Sequence, residues 1–81
     1  MDNYVTGATI KRLRECKEMT QAALADMIDV SPKTISKWET GKGLPDISLL
    51  DSIAAALDVS VIELMSGNTV VNRNISGNML R

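Results

Sequence analysis

Apolar residues recur every three or four positions along most of this chain, and short polar, turn-forming stretches separate the runs. Ile10 and Leu13 predict the inward face of a first helix over about residues 8–17, with Lys11, Arg12 and Glu15 outward. Thr20 is a good N-cap for a second helix running through Ile28, with Leu24, Ala25 and Ile28 inward. Asp29-Val30-Ser31 is a short turn, and Asp29 tolerates the left-handed backbone that ends a helix sharply. Ser31 caps a third helix that reaches about Glu39. Pro32 sits in its first turn, where the missing N–H does no harm. Ile35 and Trp38, three apart, point inward, so Lys33, Thr34 and Lys37 share the opposite face. After a loop from Thr40 to Pro45, Asp46 caps a fourth helix with Leu50, Ile53, Ala54 and Leu57 inward. Ser60 and Glu63 form a capping box for a short fifth helix carrying Ile62, Leu64 and Met65. The pattern stops after Ser66-Gly67-Asn68. It predicts an N-terminal arm over 1–7, one helical domain over 8–66, and a flexible tail or linker over 67–81.

Composition narrows this to an all-α fold. The chain has 81 residues, enough for one domain, and its core comes from Ala, Leu, Ile, Met and Val, with only 2% aromatic residues. One cysteine and no histidine exclude an intrachain disulfide and a zinc site, and point to a reducing, cytoplasmic setting. Cys16 reads as an incidental thiol on a helix surface. The N-terminus does not resemble a signal peptide, and no apolar run approaches membrane-spanning length. Without histidine, a paired-carboxylate cleft or a glycine-rich phosphate loop, nothing supports an enzyme or a cofactor.

Two helices joined by a three- or four-residue turn form a helix-turn-helix arrangement. Between Gln21 and Thr40, small Ala25 permits a close crossing, while Val30, Ile35 and Trp38 lock the pair to the core. The outer face of the third helix is then short, polar and basic, as entry into a DNA major groove requires. The overall charge of −1 argues against this, because DNA-binding domains are usually basic. Its distribution argues for it. Residues 31–45 hold Lys33, Lys37 and Lys42 against Glu39 alone, a net +2, whereas 1–30 and 46–81 are net −1 and −2.

The string TQAALADMIDVSPKTISKWETGKGLPDISLL, followed by IAAALDVSVIEL, resembles the Cro/repressor-like, or Xre, helix-turn-helix family over roughly residues 8–66. The resemblance implies a compact five-helix, lambda-repressor-like DNA-binding domain and a transcriptional regulator acting on double-stranded DNA. By the same resemblance, Gln21 would bond a phosphate and brace the reading helix, or stand as a solvent-exposed helix-start residue. Pro32, Lys33 and Lys37 would face base edges, the two lysines donating to guanine O6 and N7 or serving as phosphate charges. Ser31 and Thr34 would touch the backbone or a thymine methyl, with Ser31 equally readable as a pure cap. Thr40 and Lys42 would meet the next phosphates. Arg14 and Glu39 would form a structural ion pair between the first helix and the end of the third. Trp38 is a core residue, not a stacking platform.

Three positions depart from the family pattern. Glu18 stands where Gly or Asn is frequent, Pro32 cannot make the bidentate contact of a Gln, and the last two helices are acidic. The alternative function is a protein-interaction module, such as an antitoxin or adaptor, with weak or no DNA binding. Val59, Val61, Ile62 and Met65 are candidates for a homodimer surface or for closing the core, the second being preferred for Ile62. A tail ending in NRNISGNMLR also suggests a further C-terminal domain in a longer protein.

Overall fold

A computed structural model describes residues 3–67, with side chains from Val5 onward. Five helices follow one another: α1 (Asn3–Cys16), α2 (Gln21–Ile28), α3 (Pro32–Glu39), α4 (Ile47–Leu57) and α5 (Val61–Ser66). Among the described residues there is no strand, and no helix is long and apolar enough to cross a membrane.

Side-chain caps start four of these helices. Thr20, Ser31, Asp46 and Ser60 lie in extended backbone, and each side chain accepts an otherwise orphaned backbone N–H, from Ala23, Thr34, Ser48 and Glu63 respectively. The Glu63 carboxylate in turn accepts the Ser60 N–H at 2.9 Å, which completes the capping box. The helix ends share one device. Glu18, Asp29, Gly41 and Asp58 have φ of 57, 60, 75 and 63°. The next N–H in each case reaches back five residues, from Met19 to Arg14, Val30 to Ala25, Lys42 to Lys37 and Val59 to Ala54, at 2.9–3.0 Å. A single left-handed residue thereby closes each helix and reverses the chain, which is how so short a turn joins α2 to α3.

At Glu18 this geometry is imposed on an exposed residue with a Cβ. Left-handed backbone costs such a residue about 1–2 kcal/mol, and glycine loses about 0.5–1 kcal/mol of that advantage to its unfolded-state entropy. Glu18→Gly should therefore raise stability by about 0.5–1 kcal/mol in chemical denaturation. A lower midpoint for the variant would refute the strain.

α1 packs against α3, α4 and α5, and α2 packs against α3 and α4. Leu24, Ala25, Ile28, Ile35, Trp38, Leu50, Ile53, Ala54 and Leu57 are buried, as their periodicity requires, and Ile10, Leu13 and Leu64 join them in one core. Two expectations are corrected. Residues 3–7 are the opening turns of α1, not an arm, and Thr6 and Gly7 are buried. Gly7 explains why: a Cβ there would stand 1.9 Å from the Trp38 carbonyl oxygen. Only glycine lets α1 lie directly on the α3 backbone, and a small residue that reads as a helix breaker is here the contact point. Ile62 does not close the core. It is 78% exposed, while Val59, Val61 and Met65 pack against the core. The expected tail from residue 68 onward lies outside the described residues.

Candidate nucleic-acid interface

The α2–turn–α3 unit is braced from behind by one polar network. Arg14 on α1 is only 8% exposed. Its Nε donates to Glu39 Oε2 at 2.7 Å and its Nη2 to Glu39 Oε1 at 3.0 Å, while Nη1 donates to the Met19 carbonyl at 2.7 Å. The hydrogen bond to Glu39 holds the guanidinium above its ordinary pKa, against the opposing cost of burial. Glu39, at the end of α3, has a side chain only 2% exposed. Its Oε1 also accepts from Gln21 Nε2 at 3.0 Å. A carboxylate offers no donor, so the Gln21 amide must turn its nitrogen to Glu39 and keep its other hydrogen-bonding capacity outward. One carboxylate therefore ties the first residue of α2, the last residue of α3 and the last turn of α1 together. The bond from Gln21 to Glu39 spans 18 residues and no local pattern announces it.

The other side of α3 is open. Ser31, Pro32, Lys33 and Lys37 are exposed and Thr34 is half-buried. Lys33 and Lys37 are one helical turn apart with Thr34 beside them, so the three form one patch. Lys42 is exposed in the loop beyond, and its backbone N–H is bonded to the Lys37 carbonyl at 2.9 Å, which holds the loop against the end of α3. The ion pairs among the described residues join Arg14 to Glu39, Arg14 to Glu15 and Lys17 to Asp58, so Lys33, Lys37 and Lys42 keep their charges unneutralised. The cations of α1 are partly committed elsewhere: Arg12 Nη2 donates to the Gly67 carbonyl at 3.4 Å.

Three expected contact residues, Thr40, Ser31 and Thr34, have their hydroxyls engaged. Thr40 Oγ1 donates to the Ser36 and Lys37 carbonyls at 2.9 and 3.2 Å, closing the end of α3. Ser31 Oγ accepts the Thr34 N–H at 3.2 Å and lies 3.0 Å from Thr34 Oγ1. Trp38 is 5% exposed and faces the core. Cys16 is exposed.

The helix-turn-helix family model matches residues 10–64, well over half of the chain. The HTH-type transcriptional activator BcrR of Enterococcus faecalis is 40% identical over 62 residues, which is 76% of this chain and 30% of that protein. The cryptic phage CTXphi transcriptional repressor RstR of Vibrio cholerae is 43% identical over 51 residues, 63% of this chain and 46% of the repressor. The chain thus spans less than half the length of these relatives. Among solved structures, the clp gene regulator ClgR from Corynebacterium glutamicum superposes with a TM-score of 0.77 at 30% identity, covering 83% of this chain and 71% of ClgR. Fold, sequence and the helix-turn-helix unit agree: the chain belongs to the Xre/Cro-like helix-turn-helix family of DNA-binding transcriptional regulators.

Proposed function

We propose that this protein binds duplex DNA sequence-specifically as a transcriptional regulator, with α3 in the major groove. The observation that carries the reading is the two-sidedness of α3. Ile35 and Trp38 are buried, and the opposite face offers Lys33, Thr34 and Lys37, with both ammonium groups unpaired among the described residues. Lysines on the exposed face of a groove-entering helix can donate to guanine O6 and N7. Gln21, held by Glu39 at the start of α2, and Lys42, held beyond α3, flank that helix as phosphate contacts. Pro32 fixes the start of α3 and adds an apolar surface. Thr40 serves the site mainly by closing the helix, since its proton already lies between two carbonyls. One short helix reads only a few base pairs. Binding as a homodimer to two half-sites about one helical turn apart would multiply that selectivity.

Selection of bound duplexes from a random pool tests the proposal. A preferred sequence should emerge, and Lys33→Ala and Lys37→Ala should each weaken binding to it by about 1–3 kcal/mol and relax the preference at particular positions. An equal loss over all duplexes would make both lysines phosphate contacts. A pool with no enriched sequence would favour a protein-interaction module on the same fold.

A further inference from the structure

We infer that Lys11 on α1 binds a DNA backbone phosphate, so that the contact surface extends from the helix-turn-helix unit onto the first helix. The inference rests on the DNA binding proposed above and adds a contact that lies outside α2 and α3. Lys11 is exposed, and none of the ion pairs among the described residues includes it. Glu15, one turn further along α1, turns to Arg14 at 3.9 Å. The Lys11 ammonium group therefore keeps its charge unneutralised.

The two edges of α1 face different neighbours. With about 3.6 residues per turn, Gly7, Lys11 and Arg14 share one edge. Gly7 rests on the backbone of Trp38 and Glu39, and Arg14 donates to the Glu39 carboxylate. Lys11 stands between them, one turn from each, on the solvent side of the buried Ile10. Its edge therefore borders the end of α3. Val5, Thr9 and Arg12 share the opposite edge. A Cβ at Gly67 would meet the Val5 and Thr9 side chains, and Arg12 Nη2 donates to the Gly67 carbonyl, so that edge borders the end of α5. The end of α3 is also where the proposed phosphate contacts are anchored: Gln21 Nε2 donates to Glu39, and the Lys42 N–H donates to the Lys37 carbonyl. A phosphate run that meets Gln21 and Lys42 passes the edge of α1 that carries Lys11, not the one that carries Arg12. An ammonium group on a flexible stem suits this contact, since a phosphate asks for charge and not for base geometry.

The test compares Lys11→Gln with Arg12→Gln. Each variant removes one positive charge from neighbouring exposed positions on the same helix, so net charge does not distinguish them. The duplex obtained by selection is titrated with the wild-type chain and with each variant over a series of salt concentrations. Lys11→Gln should reduce the steepness of the logarithmic salt dependence by about 0.9, the worth of one phosphate, and weaken binding about eight-fold near 0.1 M salt. The loss should be equal for the selected duplex and for duplexes with altered bases, so the preferred sequence stays the same. Arg12→Gln should keep the wild-type slope, and Lys11→Arg should restore it. An unchanged slope in Lys11→Gln, equal losses in the two glutamine variants, or a preference altered at particular base positions would overturn the phosphate contact while leaving DNA binding intact. Failure of the wild-type chain to bind any duplex would overturn the DNA-binding reading and this contact with it.

Discussion

Trp38→Ala is expected to destabilise the fold by roughly 3–5 kcal/mol, the cost of deleting a buried tryptophan and leaving a cavity. Trp38 is 5% exposed and shares its core with Ile10, Leu13, Leu24 and Ile35. Its backbone is also the surface on which α1 rests at Gly7. Collapse of the surroundings into the cavity is restricted on that side, because α1 already lies at contact distance. A domain of this length is stable by only about 3–10 kcal/mol in total. The variant should therefore melt far below the wild type or be largely unfolded at 37 °C, as followed by circular dichroism. Trp38→Phe, which keeps most of the apolar volume, should retain a cooperative transition. An unchanged melting curve for Trp38→Ala would contradict the placement of this residue in the core.

The second large effect is expected at Glu39. Its carboxylate accepts from Arg14 and Gln21 and is almost fully enclosed. Glu39→Ala would leave the Arg14 guanidinium, itself 8% exposed, with the Met19 carbonyl and the exposed Glu15 carboxylate at 3.9 Å as its remaining partners. Removing one member of a buried pair typically costs about 3–5 kcal/mol, because the other charge stays buried and uncompensated. The retained bond to Met19 places this case at the low end, about 3 kcal/mol. The pair itself contributes far less than that. Replacing both members by apolar residues of similar volume, Arg14→Met with Glu39→Leu, should return stability to within about 1 kcal/mol of wild type. Thermal denaturation of the single and double variants measures both quantities. Equal destabilisation in the two would mean that the network supplies net stability, not geometry. The double variant should still bind DNA poorly, since Gln21 then has no carboxylate to hold it.

Local rules explain what could be read directly from the chain. The caps at Thr20, Ser31, Asp46 and Ser60 and the left-handed Asp29 depend on neighbours within a few residues, so the bounds of α2 to α5 follow from sequence spacing. The inward faces of α3 and α4 follow from the helical period. Features set by distant partners were not legible. Gly7 reads as the end of an arm until α3 is laid beside it. The bond from Gln21 to Glu39 exists because two helix ends meet in space. Ile62 carries the same hydrophobicity as Leu64, yet one is 78% exposed and the other is fully buried. In so short a helix the period is too brief to assign a face. The hydroxyl pairing of Ser31 with Thr34 lies between these cases. The spacing permits it, but only the side-chain rotamers show that Thr34 turns its oxygen to the cap.

The acidic balance of the chain makes DNA binding the claim most in need of direct test, and Lys33, Lys37 and Lys42, unpaired among the described residues, are its physical basis. Titration of the selected duplex with the protein over a series of salt concentrations tests it in one measurement. The logarithm of the association constant should fall linearly and steeply with the logarithm of salt concentration, by about 0.9 in slope for each phosphate neutralised. Absence of binding to any duplex at low salt, or an affinity that does not change with salt, would contradict the account.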